Sequence, residues 1–328
     1  MKILAPISSP EETKDLIKAG ADQLYCGLLT TGWMEKYTNA ISTNRRSYAQ
    51  ANLSSLKELK EIVGCASGYG VEVVIALNAF YAQEQYPFLI SYVKKAVSLG
   101  INRLIVGDMG FLYLLRRRFP RLSIYVSVLS TIFNSGAANF LKSLGVSRVT
   151  LPQYFSLREI KQIILKNPDI SFEVFIRNAG CRNVQGFCEF SHGLEEFTKK
   201  KPEIVYEASP CFWDNYKAGI ENAPFKKGRS KIINNIESLY KQLNFPYVEI
   251  CGACNLWDFK KWGVSTVKIA GRESSREVKL RDVKFIKNLI LYLEEHSPRK
   301  REFNKYAQES FQETYGFFCQ EALCYYFK

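Results

Sequence analysis

The sequence predicts an α/β fold of the TIM-like (β/α)8 barrel type, with a long insertion between strands 7 and 8 and a C-terminal helical, aromatic tail. Three observations carry that expectation. Short apolar runs alternate with amphipathic segments in units of about 25 residues, the pattern of parallel strands joined by right-handed helical crossovers. Eight such runs can be counted, which suits a closed barrel better than an open doubly wound sheet. No glycine-rich phosphate loop follows the first run, which argues against a dinucleotide-binding fold.

The first strand is KILAP, residues 2–6. SSPEE follows, with Ser and Pro at a helix start and acids in the first turn. That helix reaches Lys18 and stops at Gly20. QLYCG (23–27) is the second strand. Residues 30–52 are rich in Asn, Ser and Arg and read as a polar loop over one mouth of the fold, before a helix over Leu56–Val63. VEVVIALN (71–78), NRLIVGD (102–108), LSIYVSV (122–128), SRVTLP (147–152) and SFEVFIR (171–177) are strands three to seven. Helices are expected between them over Pro87–Leu99, Gly110–Phe119, Ser135–Leu144 and Ser156–Leu165, with Gly100 and Gly145 as stops. STVKIAG (265–271) is the eighth strand, preceded by a helix end at Asp258–Trp262 and followed by a helix near Val283–His296. Residues 1–296 then make a barrel domain whose insertion, 178–250, folds over the mouth. Long insertions in compact enzymes are usually functional. The tail, 297–328, packs on the barrel or forms an interface with a partner subunit, of the same or another kind.

The chain has 328 residues, ample for a large core. Its 45 Lys and Arg against 32 Asp and Glu give a net charge of +13. That balance suits RNA or an anionic small molecule as partner, or simply solvated basic loops. No apolar run approaches the length of a membrane span. The N-terminus has neither signal- nor transit-peptide character, so a cytoplasmic protein is expected, with thiols reduced unless they hold metal.

In a barrel of this type the site lies at the C-terminal ends of the strands. That end carries Asn78, Asp108, Gln153, Arg177, Lys268 and Arg272. Arg177, Lys268 and Arg272 suit an anionic donor such as a dicarboxylate, since Arg offers a bidentate fork. Asn78, Asp108 and Tyr81 would orient an acceptor. Asp108 and Glu173 are singled out because an unpaired acid in or beside an apolar strand is costly.

Nine cysteines are present. Cys181, Cys188, Cys211 and Cys251 follow strands or lie in irregular segments, at spacings of 7, 23 and 40 residues. These do not match the two close pairs of a zinc ribbon, although Cys251 and Cys254 form one C-x-x-C. An iron–sulfur cluster tolerates scattered ligands; zinc and plain buried thiols stay open. Cys26 and Cys65 read as packing residues, and no charge partner marks Cys319 or Cys324 as reactive. The only histidines are His192 and His296, and HExxH and GxSxG are absent, which argues against a hydrolase. An RNA-binding or assembly subunit is the third reading, from charge and a 14% aromatic content.

ILAPISSPEE at 3–12, AGADQLYCG at 19–27, GDMG at 107–110, FEVFIRNAGC through CEFSHG at 172–193, SPCFW at 209–213 and GVSTVKIAGR at 263–272 resemble the collagenase-like peptidase U32 family along nearly the whole chain. The resemblance implies a barrel with a 4Fe-4S cluster on Cys181, Cys188, Cys211 and Cys251. It also implies oxygen-independent hydroxylation of a quinone ring or of tRNA and rRNA bases, with prephenate as oxygen donor. The older reading of such chains is a peptidase. The chain has the length of the ubiquinone-type members, and members of this length can work as paired subunits. It departs from the family pattern at Ala270, where a carboxylate is usual, at Gln153, often Arg, at Arg177, often His, and at Ser8 in the opening motif.

Overall fold

The computed structural model describes residues 1–37, 42–46, 49–178, 184–188, 250–319 and 324–326. Among these, nine strands form one parallel sheet: β1 (Lys2–Pro6), β2 (Gln23–Leu28), β3 (Asn52–Leu53), β4 (Glu72–Leu77), β5 (Arg103–Val106), β6 (Ser123–Val126), β7 (Arg148–Thr150), β8 (Ser171–Arg177) and β9 (Thr266–Ile269). β1 pairs with both β2 and β9, so eight strands close into a barrel and β3 extends β2 at its rim. All eight predicted strands are present, as they should be where a strand is covered on both faces and must read as a continuous apolar run. β2, for example, is buried at every position.

The helices of the shell are α1 (Thr13–Lys18), α2 (Thr31–Lys36), α3 (Leu56–Ser67), α4 (Tyr86–Ser98), α5 (Met109–Arg118), α6 (Ser135–Ser143), α7 (Leu157–Lys166), α8 (Leu256–Trp262), α9 (Arg276–His296) and α10 (Lys300–Tyr315). Their starts follow from local chemistry. Ser156 accepts from Glu159 N while the Glu159 carboxylate accepts from Ser156 N, so two otherwise unpaired amide groups are satisfied at the start of α7. Asn134 and Asp108 cap α6 and α5 in the same way. Gly100 and Gly145 end α4 and α6 at φ +98° and +76°, which a residue with a Cβ adopts only under strain.

Three departures from the sequence reading have physical causes. The polar loop of 30–52 contains a helix and a strand, because Trp33, 1% exposed, packs on Tyr37, Phe88 and Tyr81 and anchors α2. β3 then pairs Asn52 beside Gly27. The last barrel helix begins at Arg276 rather than near Val283, since Ser275 caps it by accepting from Val278 N. Beyond it, α10 buries Phe303, Ala307 and Phe311, and Phe311 meets Phe285 of α9 edge-on at 6.0 Å.

A large apolar core lies between barrel and helices, and a second small cluster, Leu4, Tyr25, Val74, Ala76, Ile105 and Tyr125, fills the lumen. Above and below those lumen residues the barrel is polar. Arg148 donates to Gln23 at 2.8 Å and lies 4.1 Å over the Tyr125 ring.

Candidate active site

The C-terminal mouth is built from the ends of β2, β4, β6, β8 and β9 and the loops that follow them. Glu173, fully buried in β8, meets Lys268 of β9 at 3.3 Å and Arg148 of β7 at 3.4 Å, and accepts from Thr150 at 3.0 Å. Lys268 is held 4.4 Å over the Tyr25 ring. Burial lowers the Lys268 pKa, opposed by Glu173. Arg272, 4% exposed, donates through Nη2 to Asn44 at 2.7 Å, while its Nη1 is buried with no hydrogen-bond partner. Glycine at position 27 makes this fit: a Cβ there would stand 1.9 Å from Arg272 Nη1 and 2.1 Å from Asn52 Oδ1. Arg46 pairs with Glu273 at 2.7 Å on the same rim.

Three cations, Arg46, Lys268 and Arg272, thus lie around Tyr25 in the company of two carboxylates, Glu173 and Glu273, while Arg148, the first residue of β7, reaches Glu173 from the N-terminal side of the barrel. Nearby, Lys279 and Glu12 form a pair at 2.8 Å that cancels its own charge. Since Arg46 is paired with Glu273 and Glu173 is shared between Lys268 and Arg148, the cluster keeps an excess of positive charge centred on the enclosed Arg272. An enclosed charge without a counter-ion is expensive, so this arrangement favours a bound anion.

Asn78 follows β4, the strand next to β2, on the adjoining part of the mouth. It donates to Ser127 Oγ at 3.1 Å and accepts from Arg45 N at 3.3 Å. Arg45 in turn donates to the Cys188 carbonyl at 2.5 Å. On its other side the 184–188 segment is pressed on the β6 loop, since a Cβ on Gly186 would lie 2.1 Å from Leu129 O. The segment therefore spans from the end of β6 to the loop after β2 and covers part of the mouth.

Other residues singled out in the sequence have different surroundings. Asp108 accepts from Phe111 N at 2.6 Å, Tyr81 N at 3.1 Å and Tyr86 Oη at 2.9 Å; its carboxylate holds the start of α5 to the loop after β4. Tyr81 is buried and donates to Thr43 O. Arg177 is not brought together with Lys268 and Arg272. A register shift between Phe175 and Arg177 turns its side chain outward, where it meets Asp282 of α9 at 3.4 Å and lies 4.2 Å over the Tyr315 ring of α10. Asp282 also accepts from Asn178 and from Tyr315 Oη.

Of the four cysteines in the implied cluster set, Cys181 and Cys211 lie outside the described residues. Cys188 is half-buried at the mouth. Cys251 is buried beside the end of β8, where its sulfur accepts from Ala253 N at 3.4 Å. Burial raises its thiol pKa, opposed by the Arg177 charge. Among the described residues no three Cys, His, Asp or Glu side chains already converge as a metal cage. Cys324 pairs alongside Cys251, with Tyr325 N donating to Cys251 O at 2.9 Å, a contact that no local sequence signal marks. Cys319 hydrogen-bonds with Cys324, which raises its pKa. Cys26 is a packing residue, pushed up to about 12 by burial. Gln153 also escaped a functional assignment. It is 3% exposed, and neither its amide oxygen nor its nitrogen has a partner.

A closed parallel barrel with a polar, cationic site at the carboxyl ends of its strands defines the general class, a TIM-like barrel of the kind that places chemistry at that mouth. The model of Peptidase family U32 matches residues 8–324, and the chain belongs to that family. It is 24% identical over 248 residues to "tRNA hydroxylation protein P" of Escherichia coli, covering 76% of this chain and 49% of that protein. It is 26% identical to "tRNA hydroxylation protein P1" of Bacillus subtilis, covering 84% and 59%. It is 26% identical to the "23S rRNA 5-hydroxycytidine C2501 synthase" of Escherichia coli, covering 58% and 26%. The chain spans about half the length of the first of these relatives. Among the described residues no helix is long and apolar enough to cross a membrane.

Proposed function

We propose that the chain is a hydroxylase of RNA bases that takes its oxygen from an anionic, prephenate-like donor bound in the barrel mouth. The single observation that carries this is the uncompensated charge around Tyr25, with Arg272 Nη1 enclosed and unpartnered. A carboxylate of the donor balances the excess, and a guanidinium edge suits a carboxylate. The names of the family relatives supply the RNA substrate, and the net charge of +13 suits a polyanion. A cytoplasmic location fits the same substrate.

Arg272 and Lys268 hold the donor. Glu173 keeps Lys268 in place from below, and Asn44 fixes Arg272 through its other nitrogen. Asn78, set by Ser127 and Arg45, orients the acceptor base beside it. The 184–188 segment limits water at the site. Cys181, Cys188, Cys211 and Cys251 would hold a 4Fe-4S cluster. The surroundings of Cys251 suit that role, since an amide donor and the Arg177 cation both favour sulfur that carries negative charge. When bound, the cluster supplies the one-electron chemistry that side chains lack.

The test is mass spectrometry of nucleosides from the tRNA and rRNA of cells deprived of this chain. A hydroxylated nucleoside should disappear, return with the wild-type gene and fail to return with Arg272→Ala. An unchanged nucleoside profile contradicts the proposal. The peptidase reading turns on His192, which lies outside the described residues; the other histidine, His296, is exposed at the end of α9, stacked 4.6 Å from the Tyr292 ring.

A further inference from the structure

Gln153 stands just beyond β7 at the mouth and is the most conspicuous polar group left over by the site above. Its side chain is enclosed, and both ends of the amide lack partners. Burying an amide without hydrogen bonds costs folding free energy, so a sequence gains nothing from it unless something else supplies the bonds. The group offers one acceptor beside two donor hydrogens. Only a ligand edge that places a donor next to an acceptor satisfies both ends at once. Unpaired nucleobases present such edges, and Gln pairs with them in bidentate fashion.

The neighbourhood is aromatic. Tyr154 and Phe155 follow directly, with their rings 5.5 Å apart, and Phe133 of the β6 loop lies 6.2 Å from Tyr154 and 6.3 Å from Phe155. Phe133 is 44% exposed. On the segment pressed against the same β6 loop, Phe187 is 72% exposed. Exposed rings of this kind stack on bases, and stacking accepts any base because each has a π face.

We infer that Gln153, which Tyr154 and Phe155 follow directly in the chain, reads the hydrogen-bonding edge of an unpaired RNA base at the barrel mouth. This rests on the RNA reading of the site and adds to it the residue that selects the base. Stacking supplies affinity without choice; the amide supplies the choice.

The experiment uses the full chain and fluorescent oligoribonucleotides of uridine, cytidine or adenosine, equal in length. Wild type should prefer one base by roughly tenfold, the scale of one bidentate contact. Gln153→Met should bring that preference close to unity while the dependence of binding on salt stays the same. It should also raise the melting temperature of the free protein by roughly 2 °C, because an unsatisfied amide has been removed. Gln153→Glu, which only accepts, should shift preference toward bases with an exposed amino group. Phe133→Ala should weaken all three oligonucleotides alike. If wild type prefers a base and Gln153→Met keeps the same preference, the inference is wrong and the RNA reading survives. Equal binding of all three by wild type has the same meaning. If wild type binds none of them, both readings fall.

Discussion

Arg177 ends one barrel strand and Arg272 follows its neighbour, and both are enclosed, yet their surroundings are opposite in character. Arg177 is met by Asp282, sandwiched against Tyr315 and turned toward the helices by a shift in strand register. Arg272 has one nitrogen on Asn44 and the other on nothing. The first joins β8 to α9 and α10; the second waits for an anion. Counting cations at a barrel mouth therefore does not find a binding site. What matters is which of them still lack a counter-charge after folding.

That contrast can be broken from either side. The largest effect is expected at the Arg177 end. Asp282→Ala removes the counter-charge of a buried guanidinium and the acceptor of Asn178 and Tyr315, and should destabilise the fold by about 3–5 kcal/mol in denaturant titration. A loss below about 1 kcal/mol would show that Arg177 is not held as described. At the Arg272 end, Gly27→Ala should act on the site more than on the fold. The new methyl group displaces the buried ends of Arg272, Asn44 and Asn52, so the melting temperature should fall by a few degrees, less than for Asp282→Ala. Affinity for a dicarboxylate should fall by about tenfold, as one charged hydrogen bond is lost.

A smaller effect sharpens the role of Lys268. Its pKa is lowered by burial from the ordinary lysine value of 10.5. The cation binds the anion, and its charge is lost as pH rises through the lowered pKa. Dicarboxylate affinity should thus decline at a pH below that at which a free lysine titrates, and Lys268→Met should remove this step from the pH profile. An affinity that stays level up to pH 10.5 would contradict it. The smallest effect is expected far from both arginines. Lys142 and Asp169 pair at 2.7 Å, but both are solvated, and Lys142→Ala should leave the melting temperature unchanged.

The barrel was legible in the sequence because buried parallel strands leave apolar runs such as VEVVIAL, and because caps and stops such as Ser156 and Gly145 act locally. The tertiary parts were not. Nothing in the sequence around Trp33 announces a helix; its burial among Tyr37, Phe88 and Tyr81 makes one. Lys268 and Arg272 were legible as mouth residues from their place at the end of a strand. The outward turn of Arg177 depends on one register shift and cannot be seen in SFEVFIR. Asp108 and Glu173 were conspicuous for a sound reason, the cost of an unpaired acid, but the structure answers that cost with a helix start in one case and two cations in the other. Cys324 reaches Cys251 only because α10 folds the tail back across more than seventy residues of sequence.

The most direct test is calorimetric titration of the full chain with a prephenate-like dicarboxylate, wild type against Arg272→Met. Wild type should bind, and the variant should bind about tenfold to a hundredfold more weakly, the range for a hydrogen bond to a charged group, with an unchanged melting temperature. Equal affinity in the two proteins would contradict the assignment of the unpartnered Arg272 edge to an anionic ligand.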